Sequence, residues 1–368
     1  MPRKPRPKAP DYVFISVVIV LVIFGLVMLS SASSDIAKAE FGNSYYYLMH
    51  QIIYGVSFGA VGFFVGFFLY YRVWEKIAMP FLVISLVSLA MVLFSPFGIL
   101  AKGSARWLDV GLFSFQPSEL LKLSFLIYLG AWISRNQARS KETVSGLLPF
   151  LVLIGGVTFL LVLEPATTVA VLIFATSLIA YFVAGAHFRF LVVAVLVAAL
   201  GFSIVVFSTP YRLERVQSFL NPQADVLDRD YHHDQAQIAI GSGGIMGTGF
   251  GQSTTKLNYL PEPLGDSIFA VIAEELGFIG STGVVFLFLI VVWRGLAIAR
   301  ASHDVFGRVL VTGFVCLIGL QAFVNIAAIS GLIPLTGIPL PFISYGGTAL
   351  AVSLTMAGIV ANISKYRR

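Results

Sequence analysis

Charge is scarce in this chain, and so is sulfur. Lys, Arg, Asp and Glu make up 11% of its 368 residues, where a soluble domain carries about 25%. So few charged groups cannot cover a water-soluble globule, which leaves an integral membrane protein. The single cysteine, Cys316, lies in an apolar run, so an intrachain disulfide is excluded and the thiol reads as packing. The glycine-rich run at 241–251 lacks the Gly-Lys-Ser/Thr ending of a phosphate loop and does not fit G-x-G-x-x-G. It reads instead as a re-entrant turn.

What the chain has is hydrocarbon: 58% hydrophobic residues and a mean hydropathy of +0.90. Apolar runs predict helices near 12–29, 48–70, 78–95, 118–134, 147–163, 165–184, 190–208, 267–293, 309–329 and 345–362. The break between the fifth and sixth rests on Glu164-Pro165, because proline resists helix continuation. The first run follows Arg3, Lys4, Arg6 and Lys8, as a signal peptide does. Its core exceeds the roughly 7–15 residues of such a segment, so it is read as an uncleaved first helix. The expected fold is an all-α polytopic membrane protein with about ten transmembrane helices, one integral domain over 1–368.

Ten crossings put both termini on one side, with the loops at 71–77, 135–146, 185–189 and 294–308. That side carries 16 of the 24 Lys and Arg but only Asp11, Glu75, Glu142 and Asp304 among the 18 acids. The positive-inside rule makes it cytoplasmic, with tails at 1–11 and 363–368. The net charge of +6 is therefore topology, and nucleic acid is not an expected partner. Three of the outward-facing segments have unusual content: 95–118, 330–347, and a large loop at 209–266 between the seventh and eighth helices. A connection that long is usually functional or disordered. The working face is outside, away from ATP.

Several polar groups there invite chemistry. Glu119 and Lys122 share a helix face at i, i+3, either as a structural pair or as substrate contacts. Glu274 and Glu275 point about 100° apart on a helix, which rules out a single carboxylate pair and favours structural roles. His232 and His233 lie near Asp225, Asp228, Asp230 and Asp234, but at no standard metal spacing, so a hydrated acidic loop is the plainer reading. Asp266, just ahead of an apolar helix, is an ordinary N-cap on the residues alone. The alternative is a partly desolvated carboxylate suited to general-base work.

Four separated motifs, in order, resemble the SEDS family of bacterial cell-wall synthesis, which contains FtsW and RodA. They are Arg106-Trp107-Leu108-Asp109-Val110-Gly111 with Phe115-Gln116-Pro117-Ser118-Glu119 and Lys122, and then Ile240-Gly241-Ser242-Gly243-Gly244. Tyr259-Leu260-Pro261-Glu262 follows with Asp266 and the run to Gly277, and last comes Gly337-Ile338-Pro339-Leu340-Pro341-Phe342-Ile343-Ser344-Tyr345-Gly346-Gly347. The spacing from Gly249 to Glu262 is similar to the division branch, FtsW, more than to RodA.

The resemblance implies a glycosyltransferase that polymerises lipid II on the outer face of the bacterial cytoplasmic membrane. A sugar 4-hydroxyl attacks the anomeric carbon of the growing chain and displaces undecaprenyl pyrophosphate with inversion. The family's essential aspartate falls on Asp266, the expected general base. Arg106, Lys102, Glu119, Lys122, Lys256, Gln235, Ser242, Glu262 and Ser344 form the expected substrate-binding set. Arg106, Lys256, Lys102 or a divalent cation (Mg or Mn) would meet the pyrophosphate, and no nucleotide is needed. No metal ligand is assigned. Implied partners are lipid II, the nascent glycan strand, a class B penicillin-binding protein, other division or elongation proteins, and the bilayer.

The chain departs from the family at three points. Leu264-Gly265-Asp266 stands for His-Thr-Asp, Glu164-Pro165-Ala166 for Glu-Pro-Asp, and Gln235-Ala236 for Gln-Ser. Rival readings are a lipid II flippase, which needs charges lining a path across the whole bilayer, and a non-catalytic scaffold for a transpeptidase.

Overall fold

The computed structural model describes residues 7–94, 98–101, 104–109, 111, 114–135, 142–209, 213, 230–257 and 260–367. Lipid offers no hydrogen bonds, so apolar segments close theirs internally as helices. Each of the ten apolar runs holds one. They are α1 (Tyr12–Phe41), α2 (Tyr46–Phe68), α3 (Arg72–Phe94), α4 (Pro117–Arg135), α5 (Thr143–Leu163), α6 (Thr167–Val183) and α7 (Phe188–Phe207). A shorter polar helix, α8 (Asp230–Ser242), precedes α9 (Ile268–Ala301), α10 (Val305–Ile329) and α11 (Gly347–Ser364). Among the described residues 8 of these are long and apolar enough to cross a membrane. The other two of the ten are α6, an apolar helix of 17 residues, and α4, which carries Glu119, Lys122 and Arg135. The proline break holds: α5 ends at Leu163 and α6 begins at Thr167.

Burial sorts the helices. The spans of α10 and α11 are 67% and 72% buried, against 17% for α7, so α10 and α11 form the centre and α7 the rim. Helix α4 is buried along nearly its whole length, which explains how it tolerates charge. Helices α2 and α11 meet through backbone. A Cβ on Gly66 would lie 2.8 Å from Ile359 N, and one on Gly358 2.2 Å from Phe63 O. Small residues at such crossings let membrane helices approach closely.

The two termini lie side by side. Lys8 N donates to Lys365 O at 2.8 Å and Asp11 N to Ser364 Oγ at 2.9 Å. Asp11 caps α1 and receives Arg294 and Arg367, while Asp304 caps α10 and receives Arg72. Helix α3 starts and α9 ends in this cluster, so the start of α9, with Asp266, stands at the opposite end of the bundle.

Three features were not read from the sequence. Strands β1 (Gly98–Ala101), β2 (Ser104–Asp109) and β3 (Ser114–Phe115) form a small antiparallel sheet at the Asp266 end, β2 in the middle. Within the large loop, α8 is helical. Helix α9 is also broken at Gly277, whose φ of 64° and ψ of −163° lie outside the helical region. The backbone groups freed there are met by the glycine-rich turn. Thr248 N and Gly249 N donate to the carbonyls of Glu274 and Glu275 at 2.9 and 3.0 Å. Phe278 N and Ile279 N donate to Gly244 O and Ile245 O at 2.9 and 3.2 Å. The turn predicted at 241–251 is thus a plug in a discontinuous helix, a geometry lipid permits only where protein covers the gap.

Candidate active site

Asp266 sits one residue ahead of the N-cap position of α9, which belongs to Ser267. The aspartate is therefore not the cap residue that the bare sequence favoured. Its turn is strained and heavily tied. Glu262 has φ 51°, and its carbonyl accepts from Gly265 N at 3.1 Å and Ser267 N at 3.3 Å. Such conformations persist where surroundings over-determine them, often at functional sites.

The cradle comes from α10 and the segment before α11. Asn325 Nδ2 donates to Asp266 O at 2.8 Å and to Ile338 O at 2.7 Å, joining the two loops. Ser344 Oγ donates to Gly265 O at 2.6 Å and accepts from Leu340 N at 2.7 Å. Tyr345 N donates to Leu264 O at 2.8 Å. A Cβ built on Gly337, itself at φ 65°, would lie 3.7 Å from Asp266 Oδ2, so this glycine's loop packs beside the carboxylate.

One turn along α10, Gln321 Nε2 donates to Pro339 O at 2.9 Å, and its Oε1 accepts from Lys122 Nζ at 2.8 Å. Lys122 also pairs with Glu119 at 2.8 Å, each side chain 4% exposed. The predicted i, i+3 pair is present, and through Gln321 it supports the loop that holds Asp266. Glu164, fully buried in the turn between α5 and α6, accepts from Ser118 Oγ at 3.3 Å. Burial pushes its carboxyl up to about 8, and Glu119 adds to the rise against the pull of Ser118 and Arg106. Arg106, on β2, donates from Nη2 to Pro165 O at 3.0 Å. Helix α4, the sheet and the α5–α6 turn therefore converge on one polar cluster.

The remaining expected residues divide. Ser344 is in the cradle, and Glu262 forms the Asp266 turn with its side chain exposed. Gln235 is half-buried on α8, while Ser242 is exposed and bonds back to Ala239 O at 2.8 Å. Lys256 is 4% exposed, pairs with Glu275 at 2.9 Å and donates to Ser31 Oγ and Gly251 O. All of these partners are within the fold, so its place is a buried tie between α1, α9 and the large loop. Glu274 accepts from Ser253 Oγ at 2.5 Å and Thr254 N at 3.0 Å, the structural role expected of it. Lys102, Asp225 and Asp228 lie outside the described residues.

Gln321 and Asn325 were missed. Their signal was legible: two amides at i, i+4 in an otherwise apolar helix must face polar partners. Among the described residues no three His, Cys, Asp or Glu side chains gather as a metal cage. Chemically, the arrangement offers a carboxylate on a rigid turn and a guanidinium on the sheet beside the α5–α6 turn.

Comparison with known proteins bears on family and fold. The FtsW/RodA/SpoVE family model, described as a cell cycle protein, matches residues 11–368. Stage V sporulation protein E of Bacillus subtilis (strain 168) is 36% identical, covering 99% of each chain. A probable peptidoglycan glycosyltransferase FtsW of Geobacter sp. (strain M18) is also 36% identical over 99% of each. Among solved structures, a chain of a peptidoglycan synthase complex that coordinates polymerization and crosslinking superposes with TM-score 0.80, at 29% identity over 97% of this chain and 98% of that one. The rod shape determining protein RodA of Thermus thermophilus gives 0.72, at 28% identity over 98% and 99%.

Proposed function

This chain belongs to the FtsW/RodA/SpoVE family, and on that premise we propose that it is a peptidoglycan glycosyltransferase, polymerising lipid II on the outer face of the bacterial cytoplasmic membrane. Its similarity over nearly full length to relatives named FtsW favours the division branch over elongation.

The observation that carries the site assignment is the cradle around Asp266. Asn325 and Ser344 hold the carbonyls of Asp266 and Gly265, the two peptides that flank the Asp266 Cα, and the Gly337 loop packs beside the carboxylate. A base held this way reaches its proton without reorganising, which is where oriented catalysis gains most. Asp266 takes the proton from the acceptor sugar 4-hydroxyl as that oxygen attacks the anomeric carbon. The bond to undecaprenyl pyrophosphate breaks on the opposite face, and the configuration inverts.

Arg106 would meet the departing pyrophosphate, since Lys256 is engaged inside the fold. A divalent cation, if bound, would supply further charge neutralisation at the pyrophosphate, though the described residues offer no ready-made cage for one. The lipid tail lies among apolar helices, and a class B penicillin-binding protein crosslinks the product.

The test is polymerisation of labelled lipid II by purified protein, wild type beside Asp266→Asn, with and without the transpeptidase. Asparagine keeps the size of the side chain and loses the base. We expect polymer from wild type alone; robust polymer from the variant would sink the general-base role.

A further inference from the structure

His232 stands on α8 with its Nε2 2.7 Å from Ser267 Oγ. Ser267 Oγ is in turn 2.8 Å from the carbonyl oxygen of Pro261. A hydroxyl has one proton and a carbonyl only accepts, which fixes the direction of both bonds. Ser267 donates to Pro261, so His232 must donate from Nε2–H to Ser267. That holds for the neutral Nε2–H tautomer and for the imidazolium alike.

The serine's commitment is unusual. It occupies the N-cap of α9, yet its side chain makes no cap hydrogen bond. A serine there ordinarily accepts from a first-turn N–H and stabilises the helix. Here it bridges α8 to the strained turn instead, and local choices that break a general rule concentrate at functional sites. The bridge completes a set of tethers. Ser344 holds Gly265 and Asn325 holds Asp266, while His232 holds Ser267 from the large loop. Leu264, two residues ahead of Asp266, is buried and apolar, so this turn has no imidazole of its own.

Helix α8 also leads straight into the turn that plugs the break at Gly277. The outer stretch of α9 ahead of its break, residues 268–276, is thus gripped at both ends by one continuous segment: His232 at its start, Gly244 to Gly249 at its end.

We propose that His232 is a positioning residue for the transfer reaction, fixing Asp266 through Ser267 and Pro261 and coupling the large outer loop to the base. The proposal rests on Asp266 carrying the chemistry. Purified His232→Ala, His232→Gln and Ser267→Ala would be assayed for polymerisation across lipid II concentrations, with melting temperatures taken in parallel. Misplacing a catalytic group by about 1 Å can lower a rate roughly 100-fold. We expect both alanine variants to lose about 10- to 100-fold in kcat, with KM changed by less than about 2-fold and melting temperature unmoved. Glutamine, whose amide N–H can donate to Ser267, should restore most of the rate. Wild-type kcat in His232→Ala would overturn the proposal. So would a loss matched by a fall in melting temperature that glutamine does not rescue.

An independent arm needs no turnover. Nitrogen-15 NMR of histidine-labelled protein, with His232 assigned among the five histidines by the glutamine variant, should show an Nε2-protonated ring that shifts in Ser267→Ala. A ring protonated on Nδ1 alone would overturn the bond direction. Absence of polymer from wild type would instead count against the polymerase reading, with the NMR arm still deciding His232.

Discussion

The buried pair Glu119–Lys122 makes a sharp quantitative prediction. The two charges sit 2.8 Å apart with side chains 4% exposed, so neither can be hydrated if the other is removed. Breaking a buried pair by deleting one partner costs about 3–5 kcal/mol, because the survivor is left uncompensated. Lys122→Met and Glu119→Leu should therefore each destabilise by about 3 kcal/mol or more, a large share of a typical total of roughly 5–15. The double variant leaves no buried charge of the pair. It does strip Gln321 Oε1 of its donor, a loss worth about 1–3 kcal/mol. Two losses near 3 combining to about 3 gives a coupling of about 3 kcal/mol, the upper end for touching residues. The assay is unfolding of the four proteins in one detergent or nanodisc. Losses that add to within about 0.5 kcal/mol would refute the coupled-pair reasoning. Polymerisation should fall in Lys122→Met as well, since Gln321 loses the partner that steadies its hold on Pro339.

Two further expectations concern the breaks in the bundle, beside those for Asp266→Asn and the His232 variants. Gly277→Ala places a Cβ 2.3 Å from Gly247 N at φ +64°. Strain and overpacking together should remove roughly 3 kcal/mol; an unchanged melting temperature would show that α9 is continuous there. Glu164 gives a pH signature. Its carboxyl is raised from an ordinary 4.5 to about 8, chiefly by burial. Between those values the folded protein holds a proton that the unfolded chain has released, so stability falls as pH rises through that window, and the loss is complete above about 8. Glu164→Gln, permanently neutral, should flatten that slope in melting curves from about pH 5 to about pH 9. Parallel slopes in the two proteins would refute it.

The helices were legible because lipid makes the signal coarse: a long apolar run has few alternatives. The break at Glu164-Pro165 was legible for the same kind of reason, as proline has its own stereochemistry. The break at Gly277 was not. A glycine in an apolar helix is ordinary, and only the plug from Gly244 to Gly249, some thirty residues upstream, creates partners for a broken helix. Nor could the sequence separate Lys256 from Arg106 as candidates to meet the leaving group. Both are basic residues in outward-facing segments, and only packing shows that Lys256 is enclosed by Glu275, Ser31 and Gly251. Asp266 shows the same limit from the other side. Read locally, it is a cap, because the residues around it say only that a helix follows. What distinguishes it comes from far along the chain, Asn325 and Ser344 reaching back 59 and 79 residues to its turn. A helix cap needs no such convergence, since one side-chain oxygen near a first-turn N–H suffices. Tethers from α10, the segment before α11 and α8 on three adjoining residues serve to fix where a side chain stands, and Asp266 is the ionisable group at their centre.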